Sequence, residues 1–313
     1  MGPEHIAART RARWRPGRTL CVPYPSRLTG RNNTSDPAEM PTAHHGKVEL
    51  FFDVLGSATD PTLLLINGLG SQCINYDEQW CEKFAVQGYR VIRFDNRDTG
   101  LSSKLDECSY ALRDMAGDAV AVLDAANAER AHVMGVSMGG MIAQRLAIDH
   151  GERLLSLTSV MSSTGEPEYG QSSREALALV MAKPAQTRDE YVDNQIAERR
   201  VYGSKPEWID EPYLRARAAR AFDRCYYPAG IGRQMRAIKS DGARADGLGM
   251  LTVPTLVMHG DRDTLVDPSG GRRTAELIPG ARYVEIEGMG HDYPVAVWDR
   301  WVEIWAEFVR SVT

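Results

Sequence analysis

Several features are scarce in this sequence, and each scarcity excludes a class of function. No run approaches the roughly 18 to 20 continuous apolar residues that a membrane helix needs, so no spanning segment is expected. There is no basic excess either. Lys and Arg number 37 against 42 Asp and Glu, a formal net charge of −5. That balance leaves nothing to neutralise phosphates and argues against nucleic acid as a partner. Only 5 of the 313 residues are cysteines. Cys21, Cys73, Cys81, Cys108 and Cys225 contain no CxxC pair and are odd in number. Such a set suits reduced thiols in a cytoplasm better than a disulfide framework, and its spacing offers no metal site. Internal repeats are missing, and low complexity is confined to the first residues.

What is present is ordinary for a globular protein: 43% hydrophobic and 25% charged residues, long enough for a substantial core. The charge is uneven. Residues 1–39 hold seven Arg against three acids, a local balance of +4 that leaves about −9 for the remainder. This leader lacks the apolar core of a secretory signal. It is expected to be a disordered tail or to precede a natural start at Met40, and a cytoplasmic location is expected for the protein.

From residue 47 onward, strand-like and helix-like patterns alternate, which predicts a mostly parallel sheet covered by helices. Strands are expected at Lys47–Val54, Thr62–Asn67, Arg90–Phe94, His132–Val136, Leu154–Val160, Thr255–His259 and Ala281–Ile286. Helices are expected at Asn75–Gln87, Tyr110–Asn127, Met138–His150, Ser269–Ile278 and Val295–Val312. Residues 164–249 interrupt the alternation with helical patterns, many Arg and Glu, and no strand signal. An all-helical insertion of this kind reads as a lid, dividing the chain into a core (40–163 and 250–313) and a cap (164–249).

Gly135-Val136-Ser137-Met138-Gly139 fits G-x-S-x-G between a strand pattern and a helix pattern. That context suits a serine held in a sharp, strained turn at the end of a sheet. A serine hydroxyl becomes a useful nucleophile only when a neighbouring base takes its proton. The candidate base is His291, in the loop Glu287-Gly288-Met289-Gly290-His291-Asp292. The other six histidines lie in the tail or at element ends, and His259 reads as structural. The carboxylate that orients the base is expected from the turn Gly260-Asp261-Arg262-Asp263, with Asp263 favoured, Asp261 the competitor and Asp267 third. Acyl transfer also needs donors for an oxyanion. The backbone N–H groups of Met138 and of Leu69, in Asn67-Gly68-Leu69-Gly70, are the candidates.

Together, the NGLG, RFDNRDTGLS, GVSMGG, HGDRD and GMGHD segments resemble the α/β-hydrolase family across residues 47–312. The Asp95–Ser102 loop is most similar to the bacterial esterase branch that includes aclacinomycin methylesterase and mycobacterial LipG-type hydrolases. The resemblance implies a Ser137–Asp263–His291 triad, a helical cap between core strands six and seven of an eight-stranded-type sheet, and no metal or organic cofactor. It also implies ester or thioester hydrolysis through an acyl-enzyme. The expected partner is a small-molecule ester, and the expected assembly is a monomer or homodimer. Asn67 departs from the pattern, standing where many relatives have His. Thioesterase, lipase, carbon–carbon bond hydrolase and cofactor-free perhydrolase chemistry use the same triad and remain rivals, and a non-catalytic binding module of the same fold is a remote one. Trp208, Tyr213, Phe222, Tyr226 and Tyr227 are candidates to line a substrate pocket, as is the Met138 side chain.

Overall fold

A computed structural model describes residues 20–21, 41–106 and 108–312. Apart from Leu20–Cys21, the Arg-rich leader lies outside the described residues. Eight strands form one sheet: β1 (Thr42–His45), β2 (Val48–Leu55), β3 (Thr62–Ile66), β4 (Arg90–Phe94), β5 (Ala131–Val136), β6 (Leu154–Val160), β7 (Thr255–Gly260) and β8 (Arg282–Ile286). Their spatial order is β8-β7-β6-β5-β3-β4-β2-β1. β2 runs antiparallel to both its neighbours, β1 and β4, and the other pairings in this sheet are parallel, so the expected mostly parallel sheet is what forms. β3 and β5 are buried along their whole length. That is why TLLLI carries no polar alternation: a parallel strand with helices on both faces has no solvent side.

Helices α1 (Glu78–Ala85), α2 (Leu112–Ala125), α3 (Met138–Asp149), α9 (Ser269–Leu277) and α10 (Trp298–Val312) flank the sheet. Alternate side chains of β3 feed two cores. Leu64 and Ile66 meet Met115 and Val122 of α2 and Ile142 and Leu146 of α3. Leu63 and Leu65 belong to the other face, with Trp80 and Phe84 of α1 and Trp301 and Trp305 of α10. Between β6 and β7 the chain leaves the sheet for α4 (Arg174–Val180), α5 (Arg188–Tyr202), α6 (Glu211–Arg224), α7 (Pro228–Asp241) and α8 (Ala245–Gly249).

The differences from expectation are local. β1 escaped notice because only Ala43 of its four residues is buried, so it has no apolar pattern. It pairs with β2 across a turn in which Gly46 has φ +62°. α1 starts three residues later than expected: Asp77 caps it, accepting the Gln79 N–H at 2.9 Å, after a single 3-10 turn at Cys73–Asn75. A two-residue strand, Cys225–Tyr226, runs antiparallel to Leu20–Cys21, although no strand was expected in the insertion. Cys225 is disulfide-bonded, which departs from the expected set of reduced thiols, while Cys73, Cys81 and Cys108 are free.

Trp305 packs edge-on against Phe84 (5.1 Å between centroids) and Tyr89 (4.7 Å), and its indole N–H is buried without a partner. Trp305→Ala is expected to lower unfolding free energy by about 3–5 kcal/mol. Trp305→Phe should cost a fraction of that, because no hydrogen bond is lost. Urea unfolding of the two variants side by side checks the ranking.

Candidate active site

The strand order reverses around β3, which has β4 on one side and β5 on the other. Ligands of open parallel sheets settle in the crevice outside the carboxyl ends of strands at such a point. β5 ends there at Val136 and α3 begins at Met138, which leaves Ser137 to make the whole turn. It does so with φ +58° and ψ −122°. A non-glycine residue at positive φ stores strain on the order of 1–3 kcal/mol and persists only where its surroundings hold it. The holding groups are visible: Ser137 N–H donates to Val160 O at 2.9 Å, and its carbonyl accepts from Ser162 Oγ at 2.9 Å. Gly139 lies against the carbonyl oxygens of Ile66 and Asn67, so a side chain there would push the helix off the sheet.

His291 and Asp263 reach the same place from the ends of β8 and β7. His291 Nε2 is 3.0 Å from Ser137 Oγ, and its Nδ1 is 2.6 Å from Asp263 Oδ2. Oδ1 of Asp263 accepts the N–H groups of Leu265 and Val266, both at 2.9 Å. His259 stands on the other side, with Nε2 2.8 Å from Val266 O and 3.3 Å from Asp263 Oδ2. Burial works to raise the Asp263 pKa, but attraction to His291 and hydrogen bonds from His259 and His291 outweigh it and bring it down to about 2. Asp261 and Asp267 are engaged elsewhere, accepting the N–H groups of Gly288 (2.7 Å) and Ser269 (2.9 Å). An imidazole bonded on one nitrogen to a carboxylate and on the other to a hydroxyl can take that hydroxyl's proton as the oxygen attacks a carbon.

The loop after β3 lies against this turn, and a Cβ on Gly68 would sit 3.2 Å from Ser137 Cβ. Among the described residues, neither the Leu69 N–H nor the Met138 N–H has a hydrogen-bond acceptor. For Met138 this follows from its place in the first turn of α3. Asn67, the departure from the family pattern, donates from Nδ2 to Gln72 O at 3.0 Å. Three residues of the insertion, which no motif flagged, brace the loops. Gln234 of α7 is fully buried and accepts the Gly70 N–H at 2.8 Å. It also donates to Arg97 O (2.9 Å) and Thr99 Oγ1 (2.8 Å). Arg233 grips Asp98 at 2.7 and 2.9 Å, and Arg224 pairs with buried Asp95 at 2.8 Å. A spaced Gln and Arg in a helical stretch carry no sequence signature, so only the fold reveals them.

A cavity of about 240 Å³ opens beside Ser137 and His291, between the loops and the insertion. Leu69, Trp208, Tyr213, Tyr226 and Tyr227 line it. Phe222 does not, and instead stacks on Tyr226 at 4.8 Å and meets Tyr191 at 5.6 Å. The Met138 side chain also faces away, buried in the core under α3. Arg199, Arg217 and Tyr202 line the cavity without having been anticipated. Among the described residues no group of three or more His, Cys, Asp or Glu is placed to hold a metal ion, and no helix is long and apolar enough to cross a membrane.

The sequence profile of the α/β hydrolase fold matches residues 61–293. The chain belongs to the α/β-hydrolase fold family. Its relatives include the rhodomycin D methylesterase of Streptomyces sp. strain C5, 34% identical over 80% of this chain and 91% of the relative. The rhodomycin D methylesterase of Streptomyces peucetius is 32% identical over the same shares. These agree with the esterase branch of the α/β hydrolases expected from the Asp95–Ser102 loop. Among solved structures, a meta-cleavage product hydrolase from Pseudomonas fluorescens IP01 superposes with a TM-score of 0.74 at 19% identity, covering 87% of this chain and 98% of that one. At that identity the likeness is one of fold alone.

The depressed Asp263 pKa makes a pH prediction. The group sits below its ordinary value of 3.8, so its contribution is fully present above about pH 4 and is lost as pH falls towards 2. The contribution is on the order of 2 kcal/mol. In Asp263→Asn, the loss of stability between pH 4 and pH 2 should be shallower by that amount. Parallel denaturant titrations of the two proteins across this range measure it.

Proposed function

We propose that this chain hydrolyses carboxylic esters in two steps, with Ser137 as nucleophile, His291 as general base and then general acid, and Asp263 orienting the imidazole. The observation that carries the reading is the continuous contact from Asp263 to Ser137, 2.6 Å and then 3.0 Å, beside a cavity of about 240 Å³. The likeness to two methylesterases supports esters as the substrate class and methyl esters of small or medium acids as members of it.

In the first step Ser137 Oγ attacks the ester carbonyl carbon while His291 Nε2 accepts the hydroxyl proton. Asp263, kept ionised, stabilises the imidazolium and fixes the tautomer that leaves Nε2 free to accept. The tetrahedral oxygen receives the N–H groups of Leu69 and Met138, whose lack of another acceptor leaves both available. Collapse expels the alcohol, protonated by His291, and leaves Ser137 acylated. Water activated by the same histidine then releases the acid. Residues 164–249 act as the cap, closing over the serine so that these charges develop away from bulk water.

Ser137→Ala should lose about four to six orders of magnitude in p-nitrophenyl butyrate turnover and all labelling by a fluorophosphonate probe. Retention of full activity by that variant would end the assignment. Gln234→Leu removes the acceptor of the Gly70 N–H and loosens the loop that carries Leu69. Its kcat is expected to fall by about tenfold or more with KM little changed, which steady-state kinetics on a folded variant separates from simple loss of enzyme.

A further inference from the structure

We propose that the cavity contains an anion subsite formed by Arg199 and Arg217, so that the preferred esters carry a carboxylate remote from the bond that is cut. The inference rests on the hydrolase reading of the same cavity and extends it to the substrate's second functional group.

The argument begins with the arginines of α5 and α6. Arg188 pairs with Asp223, Arg200 with Glu211, Arg215 with Asp193 and Glu211, Arg220 with Glu78, and Arg224 with Asp95, at 2.8 to 3.1 Å. Among the described residues of these two helices, only Arg199 and Arg217 have no carboxylate oxygen within 4.0 Å, and both line the cavity. Their remaining contacts leave most donors free. Arg199 gives one N–H to His291 O at 3.2 Å and lies 5.9 Å from the Tyr202 ring centroid. Arg217 lies 5.9 Å from the centroid of Tyr213, whose phenol donates to Asp77 Oδ2 at 3.1 Å. A guanidinium offers five N–H groups in a fork matched to a carboxylate.

Each acid of the cavity wall accepts a hydrogen bond, and Asp98 alone among them is ion-paired. Arg233 grips Asp98, Asp210 caps α6 by accepting the Tyr213 N–H at 3.0 Å, Asp292 accepts the Ser204 N–H at 3.0 Å, and Glu198 accepts from Gln195 Nε2 at 2.9 Å. A side recess of about 10 Å³, room for one water-sized atom, opens between Arg199 and Arg217. Asn75, Gln195 and Tyr191 complete its polar wall, and no acid lines it. Asp292 and Glu198 attract the partly buried Arg199 from beyond ion-pair distance, and the donors that line the acid-free recess are left to receive an oxyanion. Partial burial makes each such bond stronger than on an open surface.

The test uses half-esters of p-nitrophenol with glutaric to suberic acid, each against the neutral p-nitrophenyl ester of equal acyl length. The wild-type protein should favour the acidic member at one chain length in kcat/KM. That preference should shrink about tenfold or more in Arg217→Gln and return in part in Arg217→Lys, which keeps the charge. Binding of the free dicarboxylate of that length to Ser137→Ala, measured by calorimetry, should weaken in parallel when Arg217→Gln is added. Equal kcat/KM for acidic and neutral esters at every length, or a preference that Arg217→Gln leaves intact, overturns the subsite: the two arginines would then merely be solvated by cavity water. Absence of any ester turnover by the wild-type protein counts against the hydrolase reading instead, and the calorimetry then decides the subsite alone.

Discussion

The structure depends on a single turn. Ser137 changes the chain from strand to helix with one residue at positive φ, and nothing local favours that conformation. It persists because β5 is locked between β3 and β6, and because α3 is pressed so close to the sheet that position 139 admits no side chain. The rigidity of the parallel sheet is thereby converted into the placement of one oxygen atom. The buried apolar runs of β3 and β5 therefore fix the position of the Ser137 hydroxyl as well as contributing to stability.

The second constraint is electrostatic and joins the insertion to the core. Asp95 and Asp98 sit in the loop after β4, and each meets an arginine from the insertion, Arg224 and Arg233. A buried pair of this kind adds little net stability but is costly to break, so it specifies one docking geometry. Gln234 adds neutral hydrogen bonds at the same joint. On the far side, the His291 N–H donates to Tyr202 O at 2.6 Å, at the end of α5. The insertion therefore touches both the loop carrying Leu69 and the loop carrying His291.

Much of this was legible beforehand, for identifiable reasons. The sheet could be read because strands buried on both faces are continuous apolar runs, and the helices because their apolar positions repeat every three to four residues. The meeting of Ser137, Asp263 and His291 could be anticipated because each sits at a strand end with its own local signature of glycines or acids. β1 could not, since an edge strand with one buried residue leaves no pattern. The separation of Phe222 from the cavity was also hidden: α6 turns Tyr213 towards the cavity and Phe222 towards Tyr226, and composition cannot tell those directions apart. Arg199 and Arg217 were lost in a stretch crowded with arginine. Only knowing which of their neighbours found acids picks them out.

The joint at Gln234 carries a consequence for how such a protein could change its diet. A segment that merely roofed the cavity could be exchanged for a foreign one at no cost to the machinery beneath. Here the insertion supplies the acceptor for Gly70 and the counter-ions for Asp95 and Asp98, so a transplanted segment must arrive with equivalents at those three positions. New specificities are therefore more accessible by altering side chains that face the cavity, such as Trp208 or Arg217, than by replacing the segment wholesale.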